Sequence, residues 1–105
     1  TYVQAGASVP PKRVVQALHQ AFVDQEHLLL KYQREDGVLS ERLIEPHYLL
    51  LKYPIWYVVA FDHLMQEPRT FRCDRMHAVT RAGTQFKLRP KEDFAPGLLR
   101  DDLSM

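Results

Sequence analysis

The sequence predicts a mainly β fold of the α+β class, with one N-terminal helix packed on a small antiparallel barrel of about five short strands. Helical spacing of apolar residues is confined to the first quarter of the chain, whereas runs rich in β-branched and aromatic residues follow Leu28. This second feature excludes a helical bundle. With 105 residues, of which 46% are hydrophobic and 26% charged, the chain has room for one domain and one modest core.

The helix is predicted at about residues 11–24. Its apolar residues follow the three-to-four spacing of an amphipathic helix, and Pro10 and Pro11 lie where a helix start tolerates proline. The spaced residues are Val14, Val15, Leu18, Ala21 and Phe22. Residues 1–10 are interpreted as a linker.

The first strands are predicted from alternating or continuous apolar runs. Residues 28–32 alternate, and Glu35-Asp36-Gly37 is typical of the turn that ends such a strand. A second strand starts at residues 43–46, where the proline must lie at an edge or a bend. Runs at 48–51 and 55–61 follow, joined through 52–54. The run at 55–61 is apolar on both faces, as in a strand buried on both sides.

The last third of the barrel is predicted to turn a corner near Asp74. In one continuous strand Phe71 and Cys73 would face one side of the sheet, but Met76 and Ala78 would face the other. One extra residue of this kind indicates a β-bulge, a feature that can also direct a side chain toward a site. Residues 81–84 are predicted as a turn and 85–88 as a short closing strand. The barrel would then span about residues 28–88 and the domain 11–91, with a polar exit from residue 89 and residues 92–105 leading away.

Basic residues concentrate late in the chain although the net charge is only +1. Residues 69–91 hold seven positive side chains and one acid, Asp74. The seven are Arg69, Arg72, Arg75, Arg81, Lys87, Arg89 and Lys91. Such a face attracts anions locally without binding polyanions everywhere.

The chain is expected to be an excised module of a longer cytoplasmic protein. It begins with Thr1 and lacks the basic start and apolar run of a secretory signal. Its single cysteine, Cys73, cannot form an internal disulfide, so no oxidising compartment is required. The longest apolar-rich stretch, at 48–61, is too short and too interrupted to span a bilayer.

Four elements, in order, resemble the WYL domain, a module of many bacterial transcription regulators. The name-giving motif stands here as Trp56-Tyr57-Val58. Leu28-Leu29-Leu30-Lys31-Tyr32 is similar to the first strand of the family, and Arg42-Leu43-Ile44-Glu45-Pro46 to its arginine-to-proline element. Phe71-Arg72-Cys73-Asp74-Arg75-Met76 resembles the run that follows the motif. The departures at positions 58, 73 and 76 are small apolar exchanges that should preserve the barrel.

The resemblance implies an Sm-like five-stranded barrel that senses an effector, a nucleotide or single-stranded nucleic acid. It also implies that the full protein contacts DNA through an N-terminal winged-helix domain and dimerises through a C-terminal extension.

Residues suited to such an effector are present. Arginines grip phosphate bidentately, and aromatic faces stack on bases. The predicted ligand-binding residues are Arg42, Arg72 and Arg75, with Tyr32, Trp56 and Tyr57. Packing alone could equally explain each of Trp56 and Tyr57, and Arg72 could simply pair with Asp74 or Glu67 on the surface. The remaining basic residues, Arg81, Lys87, Arg89 and Lys91, are expected to form a solvated face.

Enzymatic and metal-dependent functions are not predicted. The five histidines show no metal-ligand spacing, and Cys73 with His77 supplies at most two ligands where zinc needs three or four. Ser40, His47 and Asp62 could be drawn as a catalytic triad only by choosing them freely from the many serines, histidines and acids of the chain. Nothing like a strained nucleophile turn surrounds the serine. No cofactor is expected. The alternative to ligand sensing is a protein-interaction module that oligomerises through its barrel edges and has no small ligand.

Overall fold

The computed structural model describes residues 11–94. An N-terminal helix, α1 (Lys12–Asp24), precedes five strands in these residues. The strands are β1 (Glu26–Gln33), β2 (Leu39–Lys52), β3 (Ile55–Asp62), β4 (Glu67–Arg72) and β5 (Met76–Gln85). They form one antiparallel sheet in the order β4-β3-β2-β1-β5.

The helix has the predicted position. The backbone carbonyl of Pro11 accepts hydrogen bonds from the amides of Val14 and Val15, which starts the first turn. At the other end Gln25 adopts a left-handed conformation, with φ of 51°, and donates its amide to the carbonyl of Ala21. The helix packs against β1, β2 and β5.

The core lies between the helix and one face of the sheet. Three helical side chains, Val14, Leu18 and Ala21, contribute to it, together with alternate residues of the strands. The strand residues of this cluster include Leu28, Leu30, Tyr32, Ile44, Val58, Ala60, Phe71 and Met76. In β3 both faces are buried, as the run at 55–61 predicted.

The hairpin between β1 and β2 is a tight turn built on Gly37. This glycine has a φ of 88°, a region that other residues rarely adopt. The amide of Gly37 donates to the carbonyl of Arg34, and the carboxylate of Asp36 accepts from the amide of Val38. The predicted turn at 35–37 is therefore confirmed.

β2 is a single strand of 14 residues where the sequence suggested two. The register against β3 shifts between Pro46 and Tyr48. Since proline has no N–H for the ladder, a central strand accommodates it at such an irregularity. The shift lets one long strand pair with β1 over residues 39–44 and with β3 over residues 44–52.

Three expectations for the last third of the sheet need correction. At Asp74 itself the chain forms a 3-10 turn, Cys73–Arg75, that separates β4 from β5; the one-residue irregularity comes just after it, where the register of β5 on β1 shifts between Met76 and Ala78. Residues 81–84 continue β5 with Gly83 at a φ of 82°, so they are not a turn. Residues 85–88 form no closing strand. The amide of Phe86 still donates to the carbonyl of Gln25, just before β1.

Closure into an Sm-like barrel is not confirmed. Within residues 11–94, β4 and β5 are the two edges of the sheet and are not paired with each other. The predicted polar exit also contains a buried residue. Phe94 is only 1% exposed, and its ring centroid lies 4.4 Å from that of His47. Residues 1–10 and 95–105, predicted as linker and exit, lie outside the described residues.

Candidate ligand-binding site

A concavity of about 260 Å³ opens beside the β1–β2 turn. Three arginines, one tyrosine and two acids line it: Tyr32, Arg34, Glu35, Asp36, Arg42 and Arg69. Tyr32 and Arg42 belong to the predicted ligand-binding set, whereas Arg34 and Arg69 do not. The site therefore gathers guanidinium groups from β1–β2 and from β4.

Arg42 reaches this site from inside the domain. It lies on the core-facing side of β2, two residues before Ile44, and its side chain is only 7% exposed. Its Nη1 donates to the fully buried carboxylate of Asp62, and its Nε donates to the hydroxyl of Ser40 at 3.2 Å. The second carboxylate oxygen of Asp62 accepts the amide of Leu64 at 2.9 Å. A buried ion pair with further hydrogen bonds on both partners fixes the guanidinium in place.

Tyr32 connects Arg42 to the other predicted arginines. Its ring is fully buried and meets Phe71 edge to face, with 5.1 Å between centroids. Its hydroxyl oxygen accepts the backbone amide of Arg72 at 2.9 Å. Burial raises the pKa of the Tyr32 hydroxyl, although that hydrogen bond and the nearby Arg75 guanidinium, itself hydrogen-bonded to Tyr32, oppose the shift. The Arg72 backbone amide and the Arg75 side chain thus both bond to the Tyr32 hydroxyl, and neither arginine is among the lining residues of the concavity.

Arg72 is held by a partner on the 3-10 turn. Its Nε and Nη2 donate to the two carboxylate oxygens of Asp74 at 3.0 and 2.7 Å. This bidentate contact raises the pKa of the Arg72 guanidinium. The alternative that Arg72 pairs with Asp74 is confirmed, and any ligand must compete with that carboxylate.

The two arginines that the sequence did not single out are also paired with acids. Arg34 Nη2 lies 2.7 Å from Asp36 Oδ2, and Arg69 Nη1 lies 3.1 Å from Glu67 Oε2. The first pair is half exposed on both sides. Arg34 directly follows β1, and its amide donates to the carbonyl of Val38 across the β1–β2 turn, so the turn places it at the site. No local sequence pattern predicted that Arg69 lies at the site, because only the pairing of β4 with β3 brings it there.

The aromatic residues of the WYL-like motif do not line the concavity. Trp56 packs against the main core cluster. Tyr57 is only 7% exposed and pairs across the sheet with Arg72. Of the three aromatic residues, Tyr32 and Tyr57 are too buried to present a ring face to a base, and Trp56 is partly exposed.

The basic residues toward the end of β5 do not simply face solvent. Arg81 bonds to Glu26 and Asp24, and Arg89 donates to both carboxylate oxygens of Glu45 at 2.8 and 3.2 Å. The Arg89 guanidinium also covers the ring of Phe61, 3.5 Å from its centroid. For Arg89 the expected solvated position was therefore wrong. Acids distant in sequence neutralise much of the basic face.

The structure also forms a cluster that the sequence analysis missed. Ligand atoms of His27, Glu45 and His63 lie within 4.8 Å of one another. The three residues are spaced 18 apart, which matches no local metal-ligand pattern. Only the registers of β1 on β2 and β2 on β3 bring them together.

The fold and the site define a small mainly β domain with a helix on its sheet and an arginine-rich concave site. A family model, "WYL domain", matches residues 13–81. The chain belongs to this family, as the four sequence elements indicated.

Among solved structures, the chain is similar to proteasome accessory factor B/C (PafBC) of Arthrobacter aurescens. The two are 29% identical with a TM-score of 0.67. The match covers 76% of this chain and 13% of that one. This chain therefore corresponds to a small part of that protein. No helix within residues 11–94 is long and apolar enough to cross a membrane.

Proposed function

We propose that this chain is the effector-sensing domain of a bacterial transcription regulator, without catalytic activity of its own. The proposed effector carries phosphate: a nucleotide or a short single-stranded nucleic acid. Membership of the WYL family supports the regulatory role. The observation that carries the ligand class is the convergence of Arg34, Arg42 and Arg69 on one concavity.

The ion pairs at the site do not prevent phosphate binding. The pairs Arg34–Asp36 and Arg69–Glu67 are partly solvent-exposed, and such pairs stabilise a protein by only about 0–1 kcal/mol. A phosphate group offers more charge and a geometry that suits a guanidinium fork, so it can replace a surface carboxylate at small cost. Arg42, whose Asp62 partner is buried, instead stays fixed as a preorganised positive group.

The size of the concavity favours a small ligand portion. At about 260 Å³ it is slightly smaller than the ~300–1,000 Å³ usual for ligand pockets. It can hold a phosphate with its sugar, while the base would lie outside. The predicted contacts from Arg72 and Arg75 would act at the Tyr32 hydroxyl, and Trp56 is the remaining candidate for stacking. We propose that Tyr57 contributes by packing against β4.

Ligand binding would regulate only if it favours one of two states of the full protein. In this proposal the neighbouring parts are a winged-helix domain that binds DNA and an extension that forms a homodimer. Occupancy of the concavity would alter the β1–β2 turn and β4, and so the surface that the domain offers to its neighbours.

Fluorescence anisotropy with labelled single-stranded oligonucleotides, and competition by a panel of nucleotides, tests this function. We expect binding that weakens with salt, and a loss of at least several-fold in Arg69→Ala, Arg72→Ala and Arg75→Ala. Lys87→Ala is the matched control, because Lys87 is exposed and neither lines the concavity nor belongs to the segment 72–75 beside it. No binding, or equal binding in all four variants, would disprove the site.

A second candidate function is oligomerisation through the sheet edges. It is favoured by the outer edges of β4 and β5, which pair with no further strand within residues 11–94, and by exposed apolar side chains near the far end of β2. Those side chains include Leu49, Leu51 and Tyr53. This function predicts a stable oligomer by light scattering whose size does not respond to nucleotides.

A further inference from the structure

Two imidazoles and one carboxylate converge midway along β2, where β1 begins and β3 ends. His27 lies on β1, Glu45 on β2, and His63 directly after β3. Glu45 Oε2 is 2.7 Å from His63 Nε2 and 3.8 Å from His27 Nε2. The Glu45 side chain is 6% exposed, whereas those of His27 and His63 are 14% and 32% exposed. The cluster is thus anchored inside the fold and open to solvent on one side.

The surroundings orient His27 as a ligand. Its Nδ1 lies 2.8 Å from the hydroxyl and 3.2 Å from the carbonyl oxygen of Thr84. Because a carbonyl oxygen only accepts, this contact favours the tautomer with hydrogen on Nδ1 and a lone pair on Nε2, which faces Glu45. Metal-bound histidines commonly use the same outer contact, from the second ring nitrogen to a backbone carbonyl.

The backbone also holds His63 in place. Its amide donates to the carbonyl of Leu43 on β2 at 2.9 Å. The rings of His27 and His63 meet edge to face, 5.2 Å apart between centroids. All three side chains therefore project from hydrogen-bonded backbone and not from a free loop.

We propose that His27, Glu45 and His63 bind a divalent transition metal ion of the zinc class. The ligand atoms are Nε2 of each histidine and Oε2 of Glu45. Two imidazoles and one carboxylate suit zinc, and a water molecule would complete a four-coordinate site on the exposed side of His63. The hydrogen that His63 now directs at Glu45 would move to its Nδ1.

The adjustment required is small. Metal–ligand lengths of about 2.0–2.1 Å place tetrahedral ligand atoms about 3.3 Å apart. Relative to the present distances, His63 must retreat from Glu45 by about 0.6 Å and His27 must approach by about 0.5 Å. The two histidine nitrogens, which lie within 4.8 Å of each other, must approach by at most about 1.5 Å, a movement that side-chain rotation supplies.

Arg89 determines how tightly the ion is held. Its Nε donates to Glu45 Oε1 at 2.8 Å and its Nη2 donates to Oε2 at 3.2 Å, so a metal ion on Oε2 would share that oxygen with a positively charged guanidinium. A cation bound next to a guanidinium is held less strongly than one in an all-anionic cage. The site is therefore suited to a reversibly bound ion and not to a permanent structural one.

Metal titration of the 105-residue chain, first stripped with a chelator, tests the proposal. Calorimetry should show one Zn²⁺ per chain, and Co²⁺ should give the visible absorption of a four-coordinate ion that Zn²⁺ displaces. His63→Gln and His27→Gln should each weaken binding at least tenfold. His19→Gln and His77→Gln are matched controls, because both histidines are exposed and outside the cluster. They should bind like the unmodified chain.

Circular dichroism in chelator establishes that each variant folds. If His27→Gln does not fold, His63→Gln decides alone, because its side chain is more exposed. Zn²⁺ should also raise the melting temperature of the unmodified chain and of His77→Gln, but not of His63→Gln. Absence of one-to-one binding, or binding that survives in His63→Gln, would overturn the proposal. These measurements contain no nucleotide, so their outcome is independent of the proposed sensing function.

Discussion

The buried pair of Arg42 and Asp62 should dominate the stability of this domain when only one partner is changed. Arg42→Met leaves the Asp62 carboxylate, which is fully buried, with the Leu64 amide as its remaining hydrogen-bond partner. Removing one partner of a buried ion pair costs about 3–5 kcal/mol, out of a total stability of about 5–15 kcal/mol for a typical domain. For a chain of this size the melting temperature should fall by about 12–40 °C.

Urea unfolding, followed by circular dichroism and by the fluorescence of Trp56, the single tryptophan, measures this effect. The double variant Arg42→Met/Asp62→Asn removes both charges and keeps an oxygen for the Leu64 amide, so it should regain most of the loss. Arg34→Met is the matched control. Its partner Asp36 is half exposed, so the change should lower the free energy of unfolding by less than about 1 kcal/mol.

Two results would refute this reasoning. One is a free energy of unfolding for Arg42→Met within about 1 kcal/mol of that for Arg34→Met, since leaving the buried Asp62 carboxylate unpaired would then carry no penalty. The other is a double variant no more stable than the single one. Equal unfolding slopes with urea concentration are required for the comparison, because a changed slope indicates a different unfolded or native state.

Three further predictions concern single residues. Burial raises the pKa of the Cys73 thiol to about 12, so a thiol reagent at pH 8 should label the folded chain much more slowly than the urea-unfolded chain; equal rates would contradict this. Gly37→Ala should lower the free energy of unfolding in urea by about 1–2 kcal/mol, and Gly37→Asn should lower it less. The φ of 88° strains the backbone of any residue with a side chain, whereas space is not limiting, because a new Cβ would meet only Gln33 Nε2, at 4.0 Å. Burial by itself would raise the pKa of the Glu45 carboxyl, but hydrogen bonds from Arg89 and His63 outweigh it and lower that pKa. The stability it contributes is therefore present above the unfolded-state value of about 4.3 and is lost as the pH falls through the lower folded value. With chelator present, the free energy of unfolding of Glu45→Gln should fall less steeply with decreasing pH than that of the unmodified chain. Equal slopes would refute the lowered pKa of Glu45.

Local patterns in the sequence were sufficient for the helix, the first hairpin and the buried third strand. Each depends on the spacing of apolar residues or on one turn residue with a special conformation, such as Gly37. The same reasoning failed near Asp74 and Gly83. A phase change is equally compatible with a bulge and with a short 3-10 turn, and a glycine with positive φ can lie within a bent strand.

The candidate site was only partly predictable for a related reason. Arg42 and Tyr32 are near neighbours through the β1–β2 hairpin, so the sequence could associate them. Arg69 joins them only through the pairing of β4 with β3. Arginines that formed a basic run in the sequence also acquired acidic partners from distant strands, as Arg89 did with Glu45.

By itself, the sequence determined the family, from the order of its motifs, and the class of fold. It also determined most core-facing residues of α1 and β1, because these follow from the periodicity of side chains along a helix or strand. The tertiary structure decided which charges neutralise one another, which arginines share a concavity, and that His27, Glu45 and His63 meet. Those contacts join residues from different strands, and the register between strands is set by the packing of the whole sheet and not by any one segment.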